Sequence, residues 1–171
     1  MAELPGMRGV GAPGEESSAM STHEDHIREA VALAAANVEA GGAPYGAVIV
    51  RDGAVLVRAA NTVHATNDPS AHAEMVALRE ASRLLGRRDL GDCVMYASGR
   101  PCPMCHAAMR LAGFKEGYFA FSAEEAETYG AGSAAIYAEL CRPLDAQPMR
   151  VTQIRPPGDS PYAAWRARRE A

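Results

Sequence analysis

The chain is poor in cysteine: four in 171 residues, two of them in a single C-x-x-C. That argues against a disulfide framework and for a reducing compartment, the cytoplasm. No apolar run reaches about 18 residues, so no membrane-spanning helix is expected, and a secretory h-region is also missing. Basic residues are not in excess: 17 Lys and Arg stand against 21 Asp and Glu, a net charge of −4, which gives no global field for nucleic acid. The densest basic cluster, Arg166, Arg168 and Arg169, is explained equally well by a short solvated tail. Internal repeats are absent, and no domain boundary follows residue 22.

Residues 1–22 are rich in Gly, Pro, Glu and Ser and have no hydrophobic period, so they are expected to be a disordered extension, with Met20 an alternative start. Residues 23–171 form one domain, and 48% hydrophobic residues overall are enough to build its core. Ser21 with Glu24 suggests a capping box ahead of a helix in which Ile27, Ala30, Val31, Ala34 and Val38 recur at helical spacing. Residues 45–51 and 55–60, joined by Asp52-Gly53, predict a hairpin. Further helices are predicted after Ser70, over 103–112, 124–129, 134–140 and 162–168, and strands over 93–97, 117–121 and 151–154. That alternation implies an α/β sandwich with a mixed sheet.

What is present, and carries chemistry, is His72-Ala73-Glu74 followed by Pro101-Cys102-Pro103-Met104-Cys105. Imidazole and thiolate suit Zn2+, and three ligands leave the fourth tetrahedral position open, as in catalytic sites. A structural zinc finger wants a fourth ligand, but Cys93 and Cys141 stand alone and His106 directly follows Cys105. Ser70 is a suitable N-cap, which would put His72 and Glu74 in the first turn of the helix. Pro103 suits the first position of a second helix. Two helix N-termini would then point at one metal, favouring thiolate at Cys102 and Cys105.

This H-x-E…P-C-x-x-C pattern is a known signature of zinc-dependent nucleobase deaminases. With Pro44-Tyr45-Gly46-Ala47-Val48-Ile49-Val50, Asn61 and Asp68-Pro69-Ser70-Ala71, the chain resembles the cytidine-deaminase superfamily, in the branch holding bacterial guanine deaminases and tRNA adenosine deaminases. Ile136-Tyr137-Ala138-Glu139-Leu140 and Pro161-Tyr162-Ala163-Ala164-Trp165 tilt the resemblance towards guanine deaminases. It implies a three-layer α-β-α sandwich around a five-stranded mixed sheet, a Zn2+ cofactor held by His72, Cys102 and Cys105, and a homodimer, with the C-terminal helix exchanged between subunits in some members. Glu74 would be the catalytic proton carrier and Glu139 a second one. Asn61 and the backbone of Ala47 and Ala73 would hold the base.

One departure is Gly99-Arg100, where those relatives carry an acid; Ser133 likewise stands where an Asp is usual. Arg100 is therefore a candidate substrate contact for a carbonyl or acidic group, or a residue capping a carbonyl or facing solvent. Glu139 has the alternative of a solvated helix face, and Asn61 that of a turn residue. The implied reaction is hydrolytic release of ammonia from a small nucleobase, guanine first. Cytosine, an aminotriazine or a pterin, tRNA adenosine, and a non-catalytic zinc module are the rival readings.

Overall fold

The computed structural model describes residues 22–170. The expected extension 1–22 (Thr22 apart), Met20 as a start and Ser21 as a cap lie outside them. The first helix, α1 (His23–Glu39), is capped by Thr22. Its hydroxyl accepts the Asp25 N–H, and the Asp25 carboxylate accepts the Thr22 N–H at 2.9 Å. The capping box thus lies one residue beyond Ser21 and Glu24, because it is Asp25 that stands third in the helix.

Strands β1 (Gly46–Arg51) and β2 (Ala54–Ala60) form the expected antiparallel hairpin. Its turn places Asp52 at φ 51° and Gly53 at φ 77°, both left-handed, as a type I′ connection requires. A short helix α2 (Val63–Thr66) follows, then α3 (Ala73–Leu85), β3 (Cys93–Gly99), α4 (Pro103–Leu111) and β4 (Glu116–Phe121). Beyond them come α5 (Ala123–Thr128), α6 (Ala134–Leu140), a 3-10 turn (Leu144–Ala146) and α7 (Pro161–Glu170).

The sheet runs β2-β1-β3-β4, with β1 antiparallel to both neighbours and β3 parallel to β4. Side chains alternate between its faces with the strand period of two. Ala47 and Ile49 of β1, Val57 and Ala59 of β2, and Cys93 and Met95 of β3 pack with Ala73, Ala77 and Ala81 of α3 and Met109 of α4. Val48, Val50 and Tyr96 point the other way, onto Ala30 of α1. Helices therefore cover both faces, giving the expected three layers. Small residues at every fourth position let α3 lie close on the sheet. Ile49 and Met95, both fully buried, each contribute about 1.5–3 kcal/mol of burial.

The five-stranded expectation is corrected to four. Residues 151–154 belong to no sheet in this protomer. Four residues between Pro148 and Pro156 make a strand only where an edge is offered to them, and among the described residues none pairs with them.

Candidate active site

Two helix starts build the site. His72 is the residue before α3, extended at φ −65°, ψ 154°, and Cys102 stands in the same position before α4, at φ −68°, ψ 169°, with Pro103 as first helical residue. The expectation that Ser70 caps α3 and that His72 lies inside the helix is corrected. Residues 68–70 close as a turn in which the Asp68 carboxylate accepts both the Ser70 N–H (2.8 Å) and its hydroxyl (2.6 Å). This delays the helix to Ala73. Glu74 then becomes the second helical residue, and Cys105 sits in the first turn of α4.

His72 Nδ1 lies 3.5 Å from Cys102 Sγ and 3.6 Å from Cys105 Sγ, and the two sulfurs are 3.6 Å apart. Three donors on a nearly equilateral triangle of about 3.5 Å edge are what bonds of about 2.0–2.3 Å to one tetrahedral Zn2+ demand, so the residues fit the ion. Cys105 is fully buried, whereas Cys102 and His72 are partly exposed, leaving the open side towards them. Cys102 is held down to about 4, first by its hydrogen bond with Cys105 and then by His72. Cys105 is pushed up, chiefly by that same bond and by burial. Hydrogen bonding to Cys102 raises His72.

Glu74 is 7% exposed and stands outside the triad. Burial is the main cause pushing its carboxyl up, against a hydrogen bond from its own backbone N–H and, less, the His72 charge and a bond with Cys105. Ala47 and Ala73, both fully buried, share one cluster with Ala59, and Asn61 (5% exposed) follows directly after β2. Ala73 and Glu74 follow His72 directly at the start of α3, and Ala47 packs in one cluster with Ala73. Thr62 N–H donates to Ala71 O at 3.0 Å, joining the Asn61 segment to the residue before His72.

The other two expected site residues are placed differently. Arg100 is exposed, its N–H donating to Phe121 O at 2.9 Å and its guanidinium 4.9 Å over the Tyr137 ring. Together with His106, Arg110, Lys115, Tyr118 and Tyr137 it lines a groove of about 280 Å³ that no residue of the triad borders. Glu139 lies on α6, half-exposed, with no hydrogen bond or ion pair from its carboxylate among the described residues. It is turned about 200° around the helix from Tyr137.

Sequence reasoning missed two tyrosines. The Tyr137 hydroxyl donates to Pro101 O at 2.8 Å, beside the zinc loop, and the Tyr45 hydroxyl donates to Ala131 O. Between them they tie the α5–α6 segment to the two motifs. The only signal in the sequence was a phenol within each quoted stretch, Pro44-Tyr45-Gly46 and Ile136-Tyr137-Ala138.

The family of cytidine and deoxycytidylate deaminase zinc-binding regions matches residues 20–121, which contain the triad and Glu74. The chain belongs to this family. The deaminase is 40% identical to guanine deaminase of Bacillus subtilis (strain 168) over 146 residues, 84% of its own length and 94% of the relative's. It superimposes on the X-ray structure of guanine deaminase from Bacillus subtilis with a TM-score of 0.82, covering 86% of its own chain and 95% of the other. Identity to the tRNA-specific adenosine deaminase of Aquifex aeolicus is 44%, but over 73 residues, 43% of this chain and 48% of that one. The deaminase is thus a hydrolytic enzyme whose cofactor is Zn2+.

Proposed function

We propose that the enzyme converts guanine and water to xanthine and ammonia. The observation that carries this reading is the extent of the similarity to guanine deaminase. It runs through 84% of this chain and 94% of the relative, whereas that to the Aquifex tRNA enzyme covers less than half of each. The 17:21 ratio of basic to acidic residues also supports a small substrate over an RNA.

His72, Cys102 and Cys105 hold the metal. The zinc they would hold would supply the Lewis-acid activation that makes a water nucleophilic near neutral pH. Glu74 moves one proton from the attacking water to a ring nitrogen and a second from the newly added hydroxyl to the amine, which leaves as ammonia as the carbonyl forms. A carboxylate two residues from His72 but outside the triad is suited to this, since it need not leave a metal to carry a proton. Asn61 hydrogen-bonds the base, and the backbone of Ala47 and Ala73 holds its edge. Glu139 is the second candidate proton carrier. Arg100, over the Tyr137 ring in a groove that no triad residue borders, is the one residue that favours a different amidine, such as cytosine, an aminotriazine or a pterin.

The proposal extends to a cytoplasmic homodimer. β4 is an edge strand with Phe119 46% and Phe121 51% exposed, and Val151 and Ile154 of the unpaired segment 151–154 are 52% and 87% exposed. An open edge and an unpaired apolar segment complement each other between two copies, which is the arrangement a swapped C-terminal segment produces. Two thiols committed to a metal suit a reducing compartment. The decisive assay is ammonia release by zinc-loaded protein from guanine, ammeline, cytosine, adenine, guanosine and a tRNA anticodon hairpin, with Glu74→Ala beside it. Turnover of guanine is the expected result, and silence on guanine with turnover of another compound would reassign the substrate.

A further inference from the structure

Asn37, in the last turn of α1, belongs to no motif, yet its amide is committed on two sides. Its Nδ2 donates to Ala43 O at 2.7 Å and to Asn61 O at 3.0 Å. Both partners are carbonyls, so the amide can be oriented in only one way. Gly42 is shaped around it: a Cβ at that position would come within 2.6–2.8 Å of the Asn37 amide. The loop leading into β1 and the residue leaving β2 are thus joined through one side chain from the helix layer.

Asn61 is the residue that this arrangement fixes. Its N–H donates to Tyr45 O at 3.0 Å, and its carbonyl accepts from Asn37. Its side-chain Oδ1 accepts the Val63 N–H at 3.1 Å. Main chain and amide oxygen are therefore occupied, and the remaining polar group of this buried residue is Nδ2, a donor.

We infer that Asn37 is a positioning residue for substrate recognition: it holds Asn61 so that Nδ2 is presented to a hydrogen-bond acceptor on the base. The inference rests on the guanine reading above, where the ring edge away from the reacting amine offers the 6-oxo group and N7 as acceptors. Without the bond to its carbonyl the Asn61 main chain is free to shift against the Val63 N–H that holds Oδ1, and the direction in which Nδ2 points is lost with it. Asn37 does not touch the substrate, so its removal acts on binding and selectivity more than on the chemical step.

The test compares wild type, Asn37→Leu and Asn37→Asp, all zinc-loaded. Asn37→Asp keeps the shape and removes the donor, which separates hydrogen bonding from space filling. Steady-state kinetics are measured on guanine, 2-aminopurine (no 6-oxo) and 7-deazaguanine (no N7), together with zinc content and Tm. Both variants are expected to raise KM for guanine about tenfold with kcat within about threefold. They should also narrow the preference for guanine over at least one analogue, at unchanged zinc content. Wild-type kinetics in both variants, or in Asn37→Asp alone, overturns the inference while leaving the function intact. An equal loss on all three bases, following Tm, also overturns it in favour of a purely structural role. A wild type that does not deaminate guanine overturns the functional reading, and this inference with it.

Discussion

Residues 23–121 and 122–170 are built from the same kinds of local signal but reach different ends. The first stretch contains the sheet, both helix layers and the whole zinc triad, and nearly every buried side chain among the described residues lies in it. In the second only Ala123 is buried, while Tyr129, Ile136, Leu140, Leu144, Met149, Ile154, Tyr162 and Trp165 are exposed. Helix α5 nevertheless has a complete capping box, Ser122 with Glu125, as good as that of α1. Caps and periodicity make helices in both regions; only the first has a sheet for them to cover. An apolar surface of this kind on a helical segment marks a place where another surface belongs.

The difference between the regions can be attacked experimentally, starting at the site. Glu74→Gln should lower kcat by about 10²–10⁴-fold with zinc content unchanged, and His72→Ala should lose the metal itself along with activity. Metal analysis beside the ammonia assay separates the two; a Glu74→Gln protein that keeps most of its turnover would remove that residue from the chemistry.

Next is the contrast in packing. Met95→Ala, in the sheet core, should cost about 2–5 kcal/mol, whereas Ile154→Ala in an isolated protomer should cost no more than about 0.5 kcal/mol. Denaturant unfolding at several protein concentrations reads both. If Ile154→Ala costs as much as a core substitution, and its cost depends on concentration, the C-terminal region has its core in a second copy. Light scattering behind size exclusion should then report a dimer.

The two regions meet at the tyrosine hydroxyls, so Tyr137→Phe should reduce kcat/KM by about three- to tenfold with little change in Tm, the value of one hydrogen bond of about 1 kcal/mol. No change in either Tyr137→Phe or Tyr45→Phe would mean that the α5–α6 segment does not depend on these bonds for its place over the site.

The smallest effect belongs to the rim of the first region. Arg87 first, and Arg51 after it, hold the exposed Asp92 down to about 2 from its ordinary 3.8. A carboxyl depressed in the folded state contributes stability above the higher value and loses it as pH falls through the lower one. Thermal stability should therefore decline between about pH 4 and pH 2, and Asp92→Asn should flatten that decline slightly. An identical pH profile in the variant would show that this surface pair contributes nothing.

Much of the first region was legible in the sequence because its signals are local. Asp52-Gly53 specified its turn and Pro103 its helix start. The misread positions were those where two local signals competed. Ser70 has the chemistry of a cap, but Asp68 engages it in a turn first, so the helix waits for His72 to serve as cap. Arg100 stands next to the zinc loop in the sequence; its N–H bonds Phe121 O at the end of β4 and its guanidinium lies over the Tyr137 ring. Nothing in the sequence around Asn37 distinguishes it from any polar residue near a helix end; its partners, Ala43 and Asn61, are reached only after the hairpin folds back.

By itself the sequence pointed to the metal ligands, the carboxylate beside them, the hairpin turn and the start of the second zinc helix. Each depends on residue types at short spacing, and short spacing fixes geometry through backbone conformation alone. Tertiary structure decided the rest: that the triad closes to 3.5–3.6 Å, that Glu74 is buried, that Asn61 is left with a donor, and that 151–154 stays unpaired. These depend on which distant segments come within hydrogen-bond reach and on which edges remain open, and a residue's neighbours along the chain carry no record of either.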